Sequence, residues 1–238
     1  MDDAVTRLDV PGTYNFREVA PGALVPGRLF RSDALHRLDV EGRRRMAALG
    51  ITRVIDLRSS IDRRIGGRDR LRGTGATRIS MPIDGARRRV DLATITLPDV
   101  YWFILTSHQH ALGSVVRTIA AADAPVLVHC TAGKDRTGLV VALVLAALDV
   151  DRDVILDDYA ASAANLSGEW TAQMVRKARR FGFRLTDELI AIMSSSPREV
   201  MGAALDRIDA EHGGAVAYLA DAGADADVVA ALRKNLLD

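Results

Sequence analysis

One cysteine, Cys130, stands in 238 residues, so the chain can close no disulfide of its own and has no zinc-finger spacing. Lysine is almost as scarce. Of 32 basic residues only Lys134, Lys177 and Lys234 are lysines; the rest are arginines. The net charge is +1, which leaves no broad basic field of the kind that gathers nucleic acid. Long apolar runs are also missing. The longest, Leu139 to Leu148, falls well short of the roughly 20 residues that a bilayer-spanning helix needs. The Met1-Asp2-Asp3 start is acidic, with no apolar signal segment behind it. These absences predict a chain with no nucleic-acid partner, no integral membrane segment, no metal and no cofactor. They also predict a reducing, cytoplasmic setting, with export that bypasses a signal peptide as the alternative.

What is present is apolar enough to fold. Hydrophobic residues make up 48% of the chain, and the length suits one domain over 1–238 with a continuous core. Arginines cluster at Arg43, Arg44 and Arg45, at Arg63 and Arg64, and at Arg87, Arg88 and Arg89. Such clusters are either solvated surface or the rim of a site for an anionic substrate or an acidic membrane. Pro11-Gly12, Pro21-Gly22 and Pro26-Gly27 are turn signals that leave strands over 13–19 and 28–31. Asp39 predicts a helix N-cap and Gly50 its stop. A buried strand over 52–57 follows, then a polar loop over 58–75, a strand over 78–83 and a helix over 99–122. Next come a short apolar strand at 126–128 and a buried helix over 137–148. After Asp151 the pattern is helical over 152–166, 170–181, 186–193, 197–211 and 225–236. Strands early, helices late and two βα units between them predict the α/β class. The expected architecture is a central mixed, largely parallel sheet flanked by helices, with an α-helical C-terminal part.

The chemistry concentrates in His129-Cys130-Thr131-Ala132-Gly133-Lys134-Asp135-Arg136-Thr137-Gly138. This loop joins a buried strand to a buried helix, where successive backbone N–H groups turn inward at the positive end of the helix dipole. Such a nest holds a tetrahedral dianion without a side chain. Gly133 permits the tight curvature. Arg136, six residues after Cys130, can grip two oxygens of the dianion with its planar fork. The same field favours the thiolate of Cys130, whose thiol ordinarily titrates near 8.5. Thr137 can donate to the sulfur. His129 is read as orienting the loop through backbone contacts, since an ionised thiol needs no base. A buried inert cysteine would account for Cys130 but not for the arginine and threonine spaced behind it.

His-Cys-x5-Arg-Thr resembles the signature of the protein tyrosine phosphatase superfamily. The full loop is similar to that of the bacterial tyrosine phosphatases with lipid-phosphatase activity, found in mycobacteria and their relatives. Asn15-Phe16-Arg17-Glu18, Arg31-Ser32-Asp33 and Asp56-Leu57-Arg58 also match, with Glu18 where the family has aspartate. The resemblance implies the cysteine-phosphatase fold and hydrolysis of phosphotyrosine, extending to phosphoserine and phosphothreonine, through a phosphocysteine on Cys130. Phosphoinositide hydrolysis is the alternative, so the implied partner is a phosphorylated protein or a phosphoinositide. Phosphate binding falls to Thr131, Ala132, Gly133, Lys134, Asp135 and Arg136. Lys134 is expected as a third cation over the pocket, or else as an outward, solvated lysine.

Hydrolysis also needs an acid for the leaving oxygen. Family resemblance selects Asp135. Its flanking cations favour a carboxylate, while a bound phosphate and the thiolate favour the acid. Asp84 and Asp99 are the alternatives. Asp56 is read as structural, paired with Arg58 near the loop. Two other functions share parts of the pattern: a rhodanese-like sulfurtransferase, which does not need Arg136-Thr137-Gly138, and a non-catalytic phospho-ligand binder, which does not need the nucleophile. Residues 151–197 hold more helix than a minimal phosphatase requires. Their amphipathic pattern, with Leu166, Trp170, Met174, Phe181 and Phe183 among arginines, predicts either permanent scaffold or a lid over Cys130.

Overall fold

The computed structural model describes residues 6–84, 96–182 and 184–238; the Arg87–Arg89 cluster, Gly85 and Phe183 lie outside them. Among the described residues, five strands form one sheet: β1 (Arg17–Glu18), β2 (Leu29–Ser32), β3 (Arg53–Asp56), β4 (Thr77–Ser80) and β5 (Val126–His129). Their order is β1-β2-β5-β3-β4, with β1 antiparallel to β2 and every other neighbouring pair parallel. The helices are α1 (Val40–Ala48), α2 (Ser60–Gly66), α3 (Leu97–Ser107), α4 (Gln109–Ala120), α5 (Asp135–Ala147) and α6 (Arg152–Leu166). They continue with α7 (Glu169–Arg180), α8 (Asp187–Ser194), α9 (Arg198–His212), α10 (Ala215–Asp221) and α11 (Ala226–Leu236). The chain is an α/β protein, as its pattern predicts.

Alternation along the strands builds two cores. Leu29, Ile55, Val126 and Val128 face one side, against Leu112 and Val116 of α4 and Leu139 to Leu145 of α5. Phe30, Val54 and Leu127 face the other, against Phe16, Leu35 and Met46. Helix α5 is buried nearly all round because helices lie on every side of it except the sheet.

The structure differs from the sequence reading at a few places, each with a local cause. The polar loop after β3 contains α2. Ser59 accepts from the Asp62 N–H and Asp62 accepts from the Ser59 N–H, a reciprocal cap that starts a helix in a segment poor in apolar residues. The expected helix over 99–122 is two helices. It starts early because Thr96 and Asp99 form a second such cap, and it breaks at His108 (φ −122°, ψ 22°). Only Arg17–Glu18 of the expected 13–19 strand joins the sheet. Among the described residues, no helix is long and apolar enough to cross a membrane.

Candidate active site

Strand register sets the site. Ser32, His129 and Asp56 end β2, β5 and β3 side by side, so the segments that follow them meet at the carboxyl edge of the sheet, where open α/β sheets bind ligands. At Gly133, φ is +68° and a Cβ would lie 2.2 Å from the Ser32 carbonyl oxygen. Only glycine fits there. The next requirement is that the loop's N–H groups face inward, and this is met by fastening its carbonyls outward. The Asn15 amide donates to the carbonyls of Ala132 (2.9 Å) and Gly133 (3.2 Å), and Arg31 donates to that of Gly133 (2.8 Å). With the Ala132 carbonyl held, the N–H of the same peptide unit, on Gly133, donates to the Cys130 Sγ at 3.2 Å. Arg31 is held in turn by a buried ion pair with Asp158 of α6, and Arg17 donates to the Asp158 carbonyl and the Ser162 hydroxyl.

Cys130 is 2% exposed. Burial opposes its ionisation, but the Arg136 guanidinium and the Thr137 hydroxyl and N–H outweigh burial and hold the thiol below its ordinary range. The Thr137 hydroxyl has no well-aligned partner of its own among the described residues, so it is left to the sulfur. Arg136 donates to Asp62 (2.7 Å), to the Ile83 carbonyl (3.2 Å) and to the Thr131 hydroxyl (3.3 Å). Burial disfavours its charge; the nearby sulfur and Asp62 more than restore it.

Beneath the loop, His129 is fully buried. Its Nδ1 lies 3.1 Å from the Cys130 carbonyl oxygen, and its Nε2 lies 3.2 Å from Asp69 and 3.8 Å from Asp56. The Asp69 contact is an ion pair out of line for a strong hydrogen bond, and neither atom has a better partner. Burial lowers the His129 pKa, yet Asp69 and then Asp56 raise it above the ordinary value. Asp69, which burial alone would raise, is held down to about 2 by His129 and Arg58. Arg58 grips both Asp56 oxygens (2.9 and 3.1 Å) and reaches Asp69 (2.8 Å). Asp56, Asp69 and His129 bring donor atoms within 4.8 Å of one another, the spacing of a metal site, but Arg58 and Arg78 already occupy the carboxylates.

Two sequence expectations need correction. Lys134 does not stand over the pocket and is not solvated. It is fully buried, and its Nζ donates to the carbonyls of Ile192 (2.6 Å) and Ser195 (2.7 Å) at the end of α8, with Asp135 at 3.3 Å. The unsatisfied carbonyls of a helix C-terminus attract a cation more strongly than solvent does once α8 is packed there. Asp99 is not an acid candidate. It caps α3, exposed, and its hydrogen bonds from Thr96 hold its carboxyl below the usual range.

Asp135 and Asp84 both border a cavity of about 720 Å³ that reaches Arg136 and is walled by Val100, Phe103, Ile104 and Met193. Asp135 also accepts from the Tyr101 hydroxyl (2.8 Å), which lies 2.7 Å from that of Tyr159. Burial first, then Asp135, raises the Tyr101 pKa well above its ordinary value, so Tyr101 stays a neutral donor.

Sequence reading missed Asp62, Asp69, Tyr101 and Tyr159. The Ser59-x-x-Asp62 cap could have revealed Asp62; nothing local marks the others.

Helix α6 belongs to the core through Ile155, Asp158 and Tyr159, so the helices packed over the loop beyond it are α7 and α8. Trp170 of α7 and Met193 of α8 pack with Ala132 of the loop. Gly168, with φ +72°, joins α6 to α7.

Residues 8–238 match the model of the tyrosine phosphatase family. The chain is 37% identical over 272 aligned positions to the triple specificity protein phosphatase PtpB of Mycobacterium tuberculosis, covering 96% of this chain and 98% of that protein. It is 33% identical over 170 residues to a tyrosine-protein phosphatase of Nostoc commune, covering 67% of this chain and 56% of that one. Among solved structures, TpbA of Pseudomonas aeruginosa aligns at 21% identity with a TM-score of 0.45, over 82% of this chain and 99% of that chain.

Proposed function

We propose, for a chain that belongs to the tyrosine phosphatase family and is therefore a protein-tyrosine phosphatase, that hydrolysis runs through a phosphocysteine on Cys130. The observation that carries this is the sulfur itself: buried, held below its ordinary pKa by Arg136 and Thr137, and met by an inward N–H. The thiolate attacks phosphorus, the ester P–O bond breaks, and the leaving oxygen takes a proton from an acid. Water then attacks the phosphocysteine and returns the sulfur as leaving group. Arg136 and the loop N–H groups hold the equatorial oxygens throughout. The apolar walls of Val100, Phe103 and Ile104 beside Arg136 suit an aromatic ring carried on the phosphate, which favours phosphotyrosine. The triple specificity named for the mycobacterial relative supports a range wider than phosphotyrosine, and phosphoserine, phosphothreonine and phosphoinositides are the further substrates we propose. Side-by-side turnover of phosphotyrosine, phosphoserine and phosphoinositide substrates, with thiosulfate as the sulfurtransferase control, tests the reading. Turnover of thiosulfate alone would overturn it.

Asp135 is the proposed acid, with Asp84 the other carboxyl on the cavity. Asp135→Asn is expected to slow an alkyl phosphate at least about tenfold more than an activated aryl phosphate, because only the poor leaving group needs the proton. Equal losses on both esters move the role to Asp84.

Helices α7 and α8 are proposed as a lid hinged at Gly168 and fastened by Lys134. A thiolate without a second cysteine has no resolving partner, and oxidation past the sulfenate is irreversible. Lys134→Met is expected to speed peroxide inactivation several-fold and to raise amide exchange across 187–194, because α8 loses the cation on its last carbonyls. Unchanged rates of both would make the two helices ordinary scaffold.

A further inference from the structure

Most surface arginines of this chain are matched with carboxylates or carbonyls. Arg44 and Arg45 pair with Glu41, Arg152 with Asp206, Arg198 with Asp153, and Arg233 with Asp149. Among the described residues, and apart from Arg37 over the Tyr14 ring, the arginines left with no hydrogen-bond or ion-pair partner all fall in two stretches. They are Arg64 in α2 with Arg68, Arg70 and Arg72 after it, and Arg179 and Arg180 at the end of α7 with Arg184 in the turn to α8. The two stretches approach each other across a small cavity bordered by Gly66 on one side and Lys177 on the other, with His36 and Arg37 beside them. Lys177 has no counter-ion there. Burial and the Arg58 charge both lower its pKa, and His36 is pushed down to about 4 by burial and by Lys177, Arg58 and Arg37.

The same two stretches carry three of the exposed large apolar side chains: Ile61 (54%), Ile65 (43%) and Phe181 (55%). Ile61 also borders the cavity that reaches Arg136. Unpaired cations interleaved with exposed Ile and Phe, with Ile61 on the border of the site cavity, form the pattern of an interfacial surface. Arginine stems and apolar side chains enter the headgroup boundary while guanidinium groups meet anionic lipid.

We infer that α2, the stretch after it and the α7–α8 turn form a docking face for an anionic lipid bilayer, which presents the mouth of the active-site cavity to the membrane. An acidic protein would satisfy the charge, but it gives no reason for Phe181 and Ile65 to be exposed among the cations; a bilayer satisfies both. The inference takes from the phosphatase reading only its consequence. Docking is measured without turnover, so either can fail alone.

The test is co-sedimentation of the full-length protein with phosphatidylcholine vesicles and with mixed phosphatidylcholine–phosphatidylserine vesicles. Binding is expected to the mixed vesicles only, and to weaken as salt rises because the attraction is screened. Arg179→Glu with Arg180→Glu, and separately Phe181→Asp, are expected to lower the partition coefficient at least about tenfold, with turnover of a small soluble aryl phosphate unchanged. No binding to the mixed vesicles overturns the proposal. So does binding that both variants retain. If the variants spare vesicle binding but raise KM for a soluble phosphopeptide, the face recognises protein, and the membrane assignment is wrong.

Discussion

Cys130→Ser is expected to abolish turnover while leaving phosphate binding in place. The two outcomes separate because they rest on different atoms. In the proposed mechanism, binding uses N–H groups fixed by carbonyl anchors at Asn15 and Arg31 and the guanidinium of Arg136, none of which the substitution removes. Turnover needs an ionised nucleophile. The field that brings the thiol below its ordinary value starts from a group near 8.5; a serine hydroxyl lies far above that and stays protonated at neutral pH. A loss of at least about four orders of magnitude in kcat is expected, roughly 5 kcal/mol of barrier. Calorimetric titration with inorganic phosphate checks the binding half, and aryl phosphate turnover checks the other. Residual activity above a trace would remove Cys130 from the nucleophile role. Loss of phosphate binding together with activity would point to a collapsed loop instead.

The second large effect is at Arg136. Arg136→Lys keeps the charge and the Coulombic pull on the sulfur, yet kcat/KM is expected to fall by about two to three orders of magnitude, or about 3–4 kcal/mol. The reason is the fork. One Arg136 nitrogen reaches Asp62 and the Ile83 carbonyl while the other reaches Thr131, so the plane of the guanidinium is fixed across the pocket. An ammonium is a single point with no plane and cannot bridge two equatorial oxygens. Steady-state kinetics on wild type and variant decide the matter; a loss below about tenfold would mean that charge alone sufficed.

The parts of this site that the sequence discloses are those whose chemistry is local. Cys130, Gly133 and Arg136 lie within seven consecutive residues at a strand–helix junction, and that local pattern is what points to an anion loop. Asp39 at the start of α1 and the apolar runs of β3 and β5 are local in the same sense. What could not be read depends on tertiary neighbours. Lys134 sits in the loop by sequence, yet its partners are carbonyls about sixty positions downstream; no residue type announces a carbonyl. Asp62 bridges α2 and the loop only because the sheet register brings the ends of β3 and β5 level. Tyr101 lies among apolar residues of α3, and what distinguishes it is a tertiary contact, the hydrogen bond from its hydroxyl to Asp135. The break at His108 arises where α3 and α4 pack on different neighbours, and the polar run from Thr106 to His110 is its local trace.

The lone cysteine has a consequence that is a matter of molecular size. Cys130 is 2% exposed, under a loop on which Trp170 is packed, and the approach to it runs past Arg136. With α7 and α8 packed on that loop, peroxide is small enough to diffuse there and the active-site thiol of a folded protein is not. Two copies of the chain are equally unable to crosslink through Cys130. With the lid closed, damage and rescue are therefore sieved alike: an oxidised Cys130 is expected to return to the thiolate through a reductant small enough to enter, so that its repair follows the concentration of low-molecular-weight thiols more than that of protein reductants.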